Sequence, residues 1–127
     1  MWYRGAAPAD AGALNSGMPT ADDFFAIDMR VGTVLRAEPF PEARKPSIRL
    51  EIDFGPAIGM LRSSAQITVH YTPDRLIGRQ VVAVVNIGDR RIAGFTSQCL
   101  VLGAMPMPTE VVLLAPDHAV ANGTRIG

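Results

Sequence analysis

At 127 residues and 48% apolar content, the chain is long enough to form one domain with its own core. Twelve Lys and Arg balance twelve Asp and Glu. Zero net charge excludes a uniformly basic nucleic-acid coat, whose affinity rests on many phosphate contacts, and leaves only a local patch.

Cys99 is the sole cysteine, which excludes an intramolecular disulfide or a zinc knuckle, and its apolar setting predicts a buried thiol. No long apolar span or signal-peptide pattern is present, so a cytoplasmic protein without membrane insertion is expected. Residues 1–17 are Ala/Gly-rich and aperiodic. They read as a flexible N-terminal extension, with Met18 a candidate start and the folded domain at 18–127.

Thr20 ahead of Asp22 and Asp23 predicts a helix over 21–27. Its hydroxyl can accept an orphan backbone N–H, and the carboxylates suit the positive end of the dipole. Phe24 or Phe25 would meet a neighbour. Residues 30–55 then predict a hairpin. In its first strand Val31, Thr33, Leu35 and Ala37 share a face. In its second, Ile48, Leu50, Ile52 and Phe54 face one way and Ser47, Arg49, Glu51 and Asp53 the other. Pro41 and Pro46 flank a tip carrying Arg44 and Lys45, the only lysine.

Residues 60–68 read as extended or irregular. At 71–78, Thr72 as cap, Pro73 at the first position and Gly78 as terminator predict one helical turn. The β-branched run VVAVVNI within 79–87 predicts a strand buried on nearly both faces. Residues 89–92 read as a connector, 93–103 as one strand, GAMPMP as a loose link and 110–115 as the last core strand. Asn122-Gly123 signals a tight turn closing a short C-terminal pair. The sum is an all-β fold: a five-stranded OB-fold Greek-key barrel with a short N-terminal helix and small additional helical turns.

The ordered set RVGTVLRAEPFPEARKPSIRLEIDFG, SSAQIT, LIGRQVVAVVNI, RRIAGFTSQCLVLG and NGTRIG resembles the CsaA family. That family belongs to the EMAPII-like tRNA-binding OB-folds, which also occur attached to methionyl-tRNA synthetases. The resemblance runs from about residue 20 to 127. It implies a homodimer, and two activities: shape-led tRNA binding, and a secretion-chaperone role towards unfolded or preprotein segments. One departure stands out: the family commonly carries a lysine where this chain has Thr96, which weakens the carry-over of tRNA binding there.

Each candidate residue has two readings. Arg44 and Lys45 suit a solvated turn and a phosphate-gripping loop equally. Arg62, Ser64 and Gln66 either satisfy an irregular segment or donate to a ligand, and the SSAQIT match favours the ligand. Asn86 and Ser97 interrupt apolar runs as structural hydrogen-bonders or as donors in a binding floor; the motif match favours the second for Ser97. Arg90 and Arg91 lie in the most basic neighbourhood of the chain, solvated or on phosphate.

His70 and His118 are isolated, the carboxylates are scattered and no phosphate loop is present, so no metal, cofactor or catalytic activity is expected. The leading function is tRNA binding by a homodimer. The alternative is a chaperone for unfolded or preprotein peptides, with Met60, Met105 and Met107 as adaptable apolar contacts. A docking role between proteins is a third.

Overall fold

The computed structural model describes residues 17–127. The expected extension at 1–17, its last residue apart, lies outside them. In chain order the elements are α1 (Ala21–Ala26), β1 (Met29–Pro39), β2 (Ile48–Asp53), β3 (Met60–Ala65), α2 (Pro73–Leu76), β4 (Gln80–Val84), β5 (Arg90–Ile92), β6 (Phe95–Ser97), β7 (Leu100–Val101), β8 (Gly103–Met107) and β9 (Glu110–Leu113). Among the described residues no helix is long and apolar enough to cross a membrane.

Five strands form one sheet in the order β3-β2-β1-β4-β7, all neighbours antiparallel. The sheet curls until its two ends meet. Gln98 N donates to Arg62 O at 2.7 Å, Ser63 Oγ to Cys99 O at 2.9 Å and Ser64 N to Ser97 Oγ at 3.0 Å. The result is a nearly closed five-stranded barrel, consistent with an OB-fold.

The alternation of β2 holds: Ile48, Leu50, Ile52 and Phe54 are all fully buried. The face expected for β1 does not hold. A bulge between Val34 and Arg36 resets the register, so Val34 enters the core and Leu35 points outward. Gly32 sits where β1 passes close to the core. A Cβ there would stand 2.7 Å from Ile52 Cγ2 and 2.8 Å from Phe54 Cδ1. The expected burial of β4 is seen from Val81 to Val84. Leu76 of α2, fully buried, joins the same core. Thr72 occupies the N-cap position, but its side chain makes no capping bond. Thr20 does cap, reciprocally with Asp23, as a full capping box.

Three expectations are corrected. Residues 89–92 are not a connector. Arg90–Ile92 pairs with β6 through the two-residue turn Ala93-Gly94, whose φ angles of 48° and 84° match the twist of a tight hairpin. The single strand expected over 93–103 is broken at Gln98 and Cys99, because Ser97 and Gln98 turn to bond β3 instead of continuing the ladder. GAMPM is a strand paired with β9, bulged between Ala104 and Met107 where Pro106 interrupts donation.

The C-terminal turn is present at Gly123, with φ of 92°. The chain beyond it pairs with β1, not with itself. Arg30 bridges to Arg125, Val31 N donates to Thr124 O at 2.9 Å and Ile126 N to Met29 O at 2.9 Å.

Candidate nucleic-acid interface

The solvated side of β2 and β3 forms a floor. Cross-strand register sets Arg49 opposite Ser64 and Glu51 opposite Arg62. Two projections border it. One is the loop 40–47, which carries Arg44 and Lys45. The other is the β5–β6 hairpin, which carries Arg90 and Arg91. Both cations of the loop and both of the hairpin are exposed.

The loop is held at its base. Phe40 N donates to Ser47 O at 3.1 Å, Ala43 N to Phe40 O at 3.2 Å and Ser47 Oγ to Lys45 O at 2.9 Å. These bonds hold the loop in shape, so less ordering is left to do on binding. Phe40 itself is only 3% exposed and meets Phe95 edge-on, ring centroids 5.4 Å apart. Phe95 opens β6, so this aromatic contact joins the loop to the hairpin and brings the two basic segments to one end of the floor.

Each ring also carries a guanidinium. Arg49 lies over Phe40 and Arg62 over Phe95, both 5.1 Å from the centroid. Glu38 bridges Arg49 to a third arginine, accepting from Arg36 at 2.9 Å and facing Arg49 at 3.3 Å. Beside this network lies a groove of ≈ 130 Å³ lined by Arg36, Glu38, Arg49, Leu50, Glu51, Arg62 and Phe95.

The residues singled out in the sequence separate here. Arg62 lies on the floor, Arg44 and Lys45 on the loop and Arg90 and Arg91 on the hairpin. Ser64 and Ser97 are buried and face each other across the barrel seam. Gln66 follows β3, half-buried. Asn86 is joined to the N-terminal helix: its Oδ1 accepts Asp28 N at 2.8 Å and its Nδ2 donates to Ala26 O at 2.8 Å. At position 96, where the family commonly has lysine, the Thr96 hydroxyl accepts from Arg91 Nη1 at 3.2 Å, so a cation is held beside that position. Arg36, Arg49, Glu38 and Glu51 are the groove residues that motif reading missed. The alternation of β2 already put Arg49 and Glu51 on its solvated face, which was the available signal. Among the described residues no group of three or more His, Cys, Asp or Glu is placed to hold a metal ion.

The family model described as "Putative tRNA binding domain" matches residues 29–125, nearly the whole barrel. The structure of chaperone CsaA from Bacillus anthracis superposes with a TM-score of 0.83 at 55% identity, covering 87% of this chain and 99% of that one. The chain belongs to the CsaA branch of the tRNA-binding domain family. A CsaA chaperone protein from Picrophilus torridus gives 0.81 at 45% identity, covering 87% of this chain and 100% of that one. This CsaA-type domain is also 34% identical over 105 residues to methionine–tRNA ligase of Porphyromonas gingivalis. The match takes in 83% of this chain but 15% of that ligase, so the likeness is to one module of a much longer protein.

Proposed function

We propose that this chain is a cytoplasmic, non-catalytic tRNA-binding protein that works as a homodimer, each barrel offering its β2–β3 floor. The carrying observation is the Phe40–Phe95 contact, which joins the loop that carries Arg44 and Lys45 to the hairpin that carries Arg90 and Arg91, with Arg62 over the Phe95 ring. Five cations in one region of a chain with no net charge make a local patch suited to phosphates. The described barrel offers few exposed aromatic faces, so recognition is led by shape and not by a run of stacked bases. The family model and the ligase module support RNA as the partner.

The second copy is supported by apolar surface left bare on the protomer. Phe24, Phe25 and Ile27 of and beside α1 are 39%, 53% and 45% exposed. Met105, Met107, Val112 and Leu114 of the β8–β9 region are likewise exposed. A six-residue helix with no buried residue is too short to be stable in water by itself and needs cover.

The chaperone reading rests on the same apolar band and on the likeness to two proteins named as CsaA chaperones. Filter binding of folded tRNA at two salt concentrations, with an unfolded polypeptide as competitor, separates them. For tRNA, affinity falls steeply with salt, and Arg44→Gln with Lys45→Gln flattens the slope by about 0.7–0.9 for every phosphate that is no longer neutralised. Binding absent at low salt, or displaced equally by unfolded polypeptide at every salt, defeats the tRNA reading.

A further inference from the structure

The groove between the two projections has more structure than a phosphate patch requires. Three arginines and two glutamates line it, yet they are not equivalent. Glu38 is taken by Arg36 and Arg49. Glu51 and Arg62 face each other across the β2–β3 ladder but form no ion pair. Arg62 is drawn over Phe95 instead. One carboxylate and one guanidinium therefore stand on the same face of the sheet, in no ion pair among the described residues, with Phe95 as apolar lining.

The arginines attract an anion, but a phosphate or a peptide carboxylate at this spot would leave the donor-seeking Glu51 carboxylate facing a like charge. A cation would face Arg62. The pair suits a neutral ring with acceptors on one edge and donors on the next. Guanine is that ring: O6 and N7 accept from a guanidinium, while N1–H and the exocyclic amine donate to a carboxylate. Adenine offers an amine where guanine has O6, and the pyrimidines lack N7. The ≈ 130 Å³ of the groove is of the size of one base. RNA supplies such a base wherever a loop or an end leaves one unstacked.

We propose that this groove is a slot for a single unpaired guanine, read by Arg62 and Glu51 and lined by Phe95. The inference rests on the RNA-binding reading and adds one base-specific contact to recognition otherwise led by shape. Arg62 is taken by the Phe95 ring, and Arg36, opposite Glu51 across the β1–β2 ladder, makes its ion pair with Glu38.

The test is an NMR titration of the full chain with GMP, AMP, CMP and UMP, with inorganic phosphate as control, run beside tRNA binding. GMP is expected to shift the amides of Glu51, Arg62 and Phe95 and to bind at least about fivefold more tightly than AMP, the low end for one bidentate base contact. Glu51→Gln should bring GMP down to the level of AMP. Equal shifts from all four nucleotides, or the same shifts from phosphate alone, overturn the slot. So does a peptide carboxylate that displaces GMP from these residues. tRNA binding with no guanine preference in the wild-type chain defeats the slot and leaves the RNA reading standing. A guanine preference in a chain that fails to hold tRNA defeats the RNA reading and upholds the slot.

Discussion

Ser97 Oγ accepts the backbone amide of Ser64 at 3.0 Å, and both residues are buried. This side chain stands where a strand ladder would otherwise close the barrel. The neighbouring bonds, Gln98 N to Arg62 O and Arg62 N to Gln98 Oε1, stitch the same seam and fix the level at which Arg62 leaves β3. Packing of Phe95 against Phe40 then sets the hairpin against the loop. The seam is thus the part of the core on which the candidate interface is mounted.

Ser97→Ala should therefore destabilise the domain by about 1–3 kcal/mol, since it leaves a buried amide without its acceptor. Urea unfolding followed by circular dichroism measures this directly, with the slope against denaturant unchanged. A variant as stable as the parent would show that the seam closes by packing alone. Weakened tRNA binding at a temperature where the variant is folded would tie the seam to the interface.

Cys99 belongs to the same seam. Burial pushes its thiol from 9.0 up to about 12, partly opposed by a hydrogen bond from Ser63. The sign follows from linkage. Between 9 and about 12 the unfolded chain has lost this proton and the folded chain keeps it. The thiol's contribution to stability is thus whole below pH 9 and is lost as pH rises towards 12. Each pH unit in that window costs roughly 1.4 kcal/mol from this group. Comparing the pH dependence of the parent with that of Cys99→Ala isolates the effect from tyrosine and lysine titration. Parallel curves would reject it. Native protein at pH 8 should also resist thiol reagents until it unfolds.

The second strand was legible because period-two alternation and burial report the same thing there, and the β-branched run because it is apolar and buried without a break. Ile48, Leu50, Ile52 and Phe54 are the clearest instance. The bulge after Val34 was not legible, because no residue marks it and it is imposed by the closure of the barrel. The β5–β6 hairpin was hidden by its turn. Ala93 adopts a left-handed φ of 48°, which alanine rarely does, so no Asn-Gly or Asp-Gly signal announced it. The basic residues of the candidate interface could be named from the sequence, but not their grouping. That depends on Phe40 meeting Phe95 from a distant part of the chain, a contact that no local pattern encodes.

The N-terminal helix offers the sharpest test of assembly. Its start is well made, with Thr20 N donating to Asp23 Oδ2 at 2.8 Å and Asp23 N to Thr20 Oγ1 at 3.2 Å. Its end is anchored, since Arg125 Nη2 donates to Phe25 O at 2.7 Å and Asn86 holds Ala26 O. A helix capped at its start and tethered at its end, yet burying none of its own residues, leaves an apolar face open to another surface. If that is a second copy, Phe25→Asp places an unpaired charge in the seam and should shift the chain from dimer to monomer in sedimentation velocity, with little change in the unfolding of the barrel. Thr20→Ala should act the same way but more weakly, by about 0.5–2 kcal/mol of helix stability. A dimer that survives Phe25→Asp would assign the contact to the exposed face of β8 and β9, where Met105→Asp becomes the corresponding substitution.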